Sequence, residues 1–276
     1  MPRNGPITMT FPPFYGTVRK LVLANVAVFF AVLVLQWLVP VLTNALLPHL
    51  VLVPANVAFG QIWQLVTYSF IHTAVLDILF AMLTLWFFGS LLESAYGTRW
   101  LAELYFTSAI GGAFLATAIS FTGILGLHPT AAGAGSWAAL FGVMVALAVR
   151  MGDEEFYFWM VVRIKAKYLV GIYLLIDIAL LLKQADAFSV LLQLSGALCG
   201  YLYVRFAPRR GLAFGFSEQL YGIRNSYYRS KRRRAAKKFE VYMSKQGRKV
   251  HFDDEGRYLD PDDTLHRDPN DKKWMN

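Results

Sequence analysis

Few side chains in the apolar part of this chain can do chemistry, and their spacing narrows what that chemistry is. The five histidines are His49, His72, His128, His251 and His266. None lies between 128 and 251, so that long stretch holds no imidazole to act as a base. Two acids, Asp77 and Asp177, lie inside apolar runs. A charge at mid-bilayer costs roughly 2.5–3.5 kcal/mol on insertion scales, so such acids are normally paired or face water. Asp77 follows His72 by five residues. It reads either as lining a hydrated cavity or as a neutral or His72-paired acid. His72 itself reads either as a functional group or as a structural hydrogen-bonder. Asp177 has no partner that the sequence names. The single cysteine, Cys199, cannot form an intrachain disulfide. No His, Cys and acid set has metal-ligand spacing, and no cofactor is implied.

The elements that must position these groups are membrane spans. Hydrophobic residues make up 56% of the chain and charged residues 16%, against about 25% charged in a soluble domain. Mean hydropathy is +0.42. Residues 1–204 carry 9 Lys/Arg against 8 Asp/Glu, and residues 205–276 carry 18 against 10. Nearly all of the +9 net charge therefore sits in the last quarter. This excludes a soluble globular domain for the first three quarters. A helix crossing ~30 Å of hydrocarbon needs ~20 mostly apolar residues. Six segments approach that: Leu21–Pro40, Ile62–Leu92, Trp100–Phe121, Gly135–Val149, Tyr168–Leu182 and Val190–Phe206. The first lacks a cleavage pattern and reads as a retained span. The chain thus divides into an N-terminal segment 1–20, a six-span all-α body 21–207 and a basic tail 208–276.

Lys and Arg fix the orientation. Placing both termini in the cytoplasm assigns 26 Lys/Arg to that side and only Lys183 to the other. A bacterial inner membrane is the expected location. Small residues interrupt the later spans, and Gly196 and Gly200 form a GxxxG pair that lets helices approach closely. Helices four and six both carry such residues and are expected to pack face to face. In the tail, Ser217 could cap a helix running to about Ser244. That helix holds Arg229, Lys231, Arg232, Arg233, Arg234, Lys237 and Lys238. Close behind a last span, this cluster suits anionic lipid headgroups. Ribosome or other nucleic acid contact is the lesser reading, and a solvated charge run is the plain one. Lys249–Phe252 and Arg257–Leu259 flank Asp-Asp-Glu-Gly, a hairpin signal. The remainder reads as disordered.

Residues 62–99 include Ile62-Trp-Gln-Leu-Val-Thr-Tyr-Ser-Phe-Ile-His72, Leu85-Trp86-Phe87-Phe88-Gly89, Leu92-Glu93 and Tyr96-Gly97-Thr98-Arg99. This stretch resembles the second span and following loop of rhomboid intramembrane serine proteases. Gly133-Ala-Gly-Ser-Trp-Ala-Ala-Leu-Phe-Gly142 resembles the rhomboid segment that carries the nucleophile. Gln193-Leu-Ser-Gly196-Ala-Leu-Cys-Gly200 resembles the one that carries the catalytic histidine. The resemblance covers about residues 20–207 and implies a six-helix bundle with a Ser–His dyad. Its positions are altered here. Trp137 stands where the serine is expected, with Ser136 one residue away, and Gln193 stands where the histidine is expected. In the His-x4-His-x3-Asn pattern of span two, His72 is retained, but Asp77 and Ala81 occupy the other places. A one-residue shift on a regular helix rotates a side chain by about 100°. Ser136 could serve as nucleophile only from a non-helical entry to the span.

Three functions follow. The first is a pseudoprotease that binds transmembrane segments of client proteins without cutting them. The second is a working intramembrane serine endopeptidase that uses Ser136 with an atypical base such as Asp77. The third is a small-solute transporter or channel, disfavoured because the internal inverted repeats common in transporters are missing.

Overall fold

The computed structural model describes residues 12–158, 162–183, 186–207, 212–247, 250–252 and 257–259. Two compact units divide the chain, Met1–Leu212 and Ala213–Asn276.

The first unit opens with α1 (Gly16–Leu38). Pro40 cannot extend that helix but suits the start of the next, α2 (Pro40–Leu50). Tyr15 offers no side-chain cap to α1. The carboxylate of Glu93 takes that role, accepting the amides of Thr17 and of Val18, the latter at 3.1 Å. Glu93 is buried, and a buried carboxylate is well placed against the positive end of a helix. Short turns α3 (Pro54–Ala58) and α4 (Gln64–Thr67) follow, then a 3₁₀ turn at Tyr68–Phe70.

The second span differs from the single run Ile62–Leu92. The chain leaves helix at Ile71, is extended at Ala74, and enters α5 only at Val75. The segment Val75–Tyr96 comprises α5 (Val75–Thr84), a π-helical turn at Leu85–Gly89 and α6 (Ser90–Tyr96). Such wide turns absorb an extra residue and often accompany functional sites. Gly97, at φ 93, ends the helix. α7 (Thr98–Ser120), α8 (Trp137–Arg150), α9 (Ala166–Leu182) and α10 (Ala187–Phe206) complete the helices of this unit.

Four helical stretches are long and apolar enough to cross a bilayer: Gly16–Leu38, Val75–Tyr96, Thr98–Ser120 and Ala187–Phe206. Among the described residues the count of qualifying helices is thus four, not six, because α8 has 14 residues and α9 has 17. The architecture is that of a mostly helical polytopic membrane protein. This mostly helical body meets the all-α expectation and carries one short strand pair besides. A hairpin of β1 (Glu155–Phe158) and β2 (Val162–Lys165) joins α8 to α9, with Glu155 opposite Lys165. Its Phe-Tyr-Phe and Val-Val sequence has the aromatic and β-branched composition of strands.

The centre of the unit is built from α7, α8 and α10, which approach at backbone distance. A Cβ on Gly196 of α10 would overlap the Ala138 carbonyl of α8, and one on Gly200 would overlap Gly142. On the other side of α10, a Cβ on Gly112 of α7 would lie 2.8 Å from the Gly196 Cα. Only residues without side chains allow this approach, where dispersion contacts replace the hydrophobic drive that lipid cannot supply.

In the second unit, α11 spans Leu212–Lys245. It begins five residues before Ser217, so Ser217 is inside the helix and is not its cap. β3 (His251–Phe252) pairs antiparallel with β4 (Tyr258–Leu259). The ring of Phe252 meets Phe239 of α11 edge to face, with centroids 6.2 Å apart. The segment expected to be disordered lies outside the described residues.

Candidate functional site

The loop before α8 is held in place by its backbone. Gly133 and Leu52 exchange two hydrogen bonds at 2.8 and 2.9 Å, and the Gly135 amide donates to the Tyr68 carbonyl at 2.9 Å. Gly135 has φ 97, a conformation that side-chain-bearing residues rarely adopt. The turn it makes places Ser136 just outside the helix, at φ −84 and ψ 2. Ser136 is therefore in a non-helical entry to α8, rotated away from the direction a regular turn would give it.

Ser136 does not cap the helix that follows it. Its Oγ lies 3.2 Å from Nε2 of His72, and both residues are buried. The Ser136 amide also points at Nε2, at 3.4 Å. His72 comes from the extended link between the 3₁₀ turn and α5. Its Nδ1 is turned toward the Phe70 carbonyl but makes no hydrogen bond of ordinary geometry. The Tyr105 hydroxyl of α7 borders the same place, beside Asn25, Ser69 and Ser136, and likewise closes no hydrogen bond.

Trp137, the first residue of α8, takes a different direction. Its indole Nε1 donates to Oδ1 of Asp77 at 2.6 Å. Asp77 is in the first turn of α5, where a negative charge is favoured. Trp137 packs beside both the Ile78–Leu140 cluster and the Phe141–Ala197 cluster. Ala81, one turn after Asp77, is fully buried among apolar side chains. Gln193 lies half-buried on α10. The structure therefore brings together His72 with Ser136, and Asp77 with Trp137, and among the described residues no hydrogen bond joins Gln193 to Ser136.

A serine hydroxyl and an imidazole nitrogen at 3.2 Å are at the reach of a nucleophile and its base. Among the described residues no hydrogen-bond partner meets Nδ1 of His72, and Ser136 is buried. Asp77 is committed to Trp137. His72 is the retained histidine of span two, but the loop turn at Gly135 that aims Ser136 at it leaves no periodic signal in the sequence, which offers Asp77 as the atypical base instead. Among the described residues no group of three His, Cys, Asp or Glu side chains converges as a metal site.

Comparison with known proteins places this geometry. A family model described as eukaryotic integral membrane protein (DUF1751) matches residues 22–218. The chain is 29% identical to Rhomboid-like protein 19 of Arabidopsis thaliana over 185 residues, which is 65% of this chain and 59% of that protein. It is 34% identical to the chloroplastic Rhomboid-like protein 16 of the same plant over 98 residues, 35% of this chain and 29% of that one. The chain thus spans well under two thirds of the length of these curated relatives. A bacterial inner membrane is corrected by this result, because the family is eukaryotic by description and both relatives come from a plant.

Proposed function

The chain belongs to the eukaryotic integral membrane protein family DUF1751, and from that premise we propose that it is a rhomboid-like pseudoprotease, which binds transmembrane segments of client proteins without cutting them. The observation that carries this reading is the burial of Ser136 against His72. The hydroxyl is used as a structural group.

The test is co-reconstitution of the full chain with a tagged single-span substrate of a rhomboid protease. The expected outcome is substrate that co-purifies intact at all times. Accumulation of a cleaved fragment that disappears in Ser136→Ala contradicts the proposal. It favours instead a serine endopeptidase, with Ser136 as nucleophile and His72, not Asp77, as its base. The 3.2 Å contact is the observation that keeps this second reading in play.

The proposal includes six spans with both termini cytoplasmic, α8 and α9 being the other two. Ten of the fourteen residues of α8 are buried, so a helix of only about 21 Å is shielded from lipid by its neighbours. The distribution of Lys and Arg supports this orientation.

The tail cluster of Arg229, Lys231, Arg232, Arg233, Arg234, Lys237 and Lys238 is proposed to meet anionic lipid headgroups. Phe239 of the same helix is engaged with the β3–β4 hairpin, so binding by charge, without insertion, is expected. Replacing Lys231, Arg234, Lys237 and Lys238 by Gln should weaken binding of the full chain's tail to anionic vesicles about a thousandfold, at ~1 kcal/mol per charge. Wild-type binding that survives high salt contradicts an electrostatic contact.

A further inference from the structure

The acids of the membrane helices are accounted for, with one exception. Asp77 holds the Trp137 indole. Glu93 holds the start of α1. Glu103 pairs with Arg99 at 3.2 Å and accepts the Tyr203 hydroxyl. Asp177 of α9 is 6% exposed, and its Oδ2 has no hydrogen-bond partner among the described residues.

Its surroundings explain why. Leu174 and Leu181 lie three residues before and four after it, on the same helical face. Leu174 packs on the cluster of Phe141, Met144 and Ala197, and Leu181 on the cluster of Phe188 and Leu191. Asp177 therefore lies at the seam between two apolar clusters. Among the described residues no cation pairs with it. Residues 168–182 and 184–204 contain no Lys or Arg. Lys183 is six residues on, rotated by roughly 240° around the helix, and exposed. The remaining cations of the membrane helices lie near helix ends, at Arg19, Lys20, Arg99, Arg150, Lys167 and Arg205.

A buried acid with a free oxygen and no internal cation is costly in a membrane and is normally paired. We infer that Asp177 receives the Lys or Arg side chain of a client's transmembrane helix docked beside α9. This rests on the client-binding reading and adds the chemistry of the client. α9 is suited to yield to such a helix, because only four of its seventeen residues are buried, against ten of twenty in α10. A second copy of this chain is a poor occupant, since its own spans carry no mid-helix cation to offer.

The test uses the full chain in lipid nanodiscs and two fluorescent Leu/Ala transmembrane peptides, one with a central Lys and one with a central Leu. The Lys peptide should bind about tenfold tighter than the Leu peptide, as an interhelical polar contact allows. Asp177→Asn, which keeps the side chain's shape, should erase the difference and leave Leu-peptide binding unchanged. Equal binding of the two peptides to the wild type overturns the inference and leaves the client-binding reading standing. Binding of neither peptide contradicts both. A Lys preference that survives in Asp177→Asn, or a self-crosslink that Asp177→Asn abolishes, also overturns it. The two-peptide comparison on the wild type decides the matter even where the variant does not fold.

Discussion

Gly196→Leu is expected to yield no monodisperse protein in detergent, whereas Gly171→Leu should give the wild-type elution profile. Both positions are helical glycines in the membrane unit, but only Gly196 belongs to a GxxxG pair. At Gly196 the new Cβ would overlap the carbonyl of Ala138, which is main chain and cannot rotate aside. The opposite face of the same residue already meets Gly112. Overpacking by extra methylenes typically costs about 1–3 kcal/mol where side chains can give way. Here two helix backbones would have to part, so the loss exceeds that range and takes the α8–α10 contact with it. At Gly171 nothing lies within 4 Å of the added carbon. The better helix propensity of leucine, worth up to about 1 kcal/mol, is then the only term. Size-exclusion chromatography of the two variants checks this. A well-behaved Gly196→Leu protein with the wild-type melting temperature contradicts the backbone contact between α8 and α10.

His72→Ala and Ser136→Ala are each expected to destabilise the protein by about 1–3 kcal/mol, the cost of leaving a buried partner unsatisfied. The double variant should cost clearly less than the sum, because removing both groups leaves neither orphaned. Neither change should alter the capture of a transmembrane segment. A working dyad would behave differently. Loss of either member would lower cleavage by on the order of 10³–10⁶-fold without demanding a coupled change in stability. Thermal unfolding of the four proteins in detergent gives the coupling. Strict additivity contradicts a structural role for the pair.

Much of the fold was legible because lipid leaves a strong mark on composition. The first apolar segment and the third to sixth became helices close to their expected limits, and the Gly196–Gly200 pair marked a close helix crossing. Span two was less legible. Hydropathy runs smoothly through Ile62–Leu92, yet the backbone leaves helix around Ile71, where tertiary hydrogen bonds such as Gly135 to Tyr68 replace the helical ones. The β1–β2 hairpin was hidden by its brevity beside long apolar helices. The site was legible as a set of altered positions. Its pairing was not, because the turn at Gly135 depends on a single backbone angle. That turn joined Ser136 to His72 and left Asp77 to Trp137.

The central claim is that Ser136 is a buried structural hydroxyl and not an accessible nucleophile. Labelling of the full chain in its native bilayer by a serine-reactive fluorophosphonate, beside Ser136→Ala, tests this most directly. The account predicts equal background labelling in the two proteins, with no covalent adduct at Ser136. Labelling of the wild type that Ser136→Ala removes would contradict it.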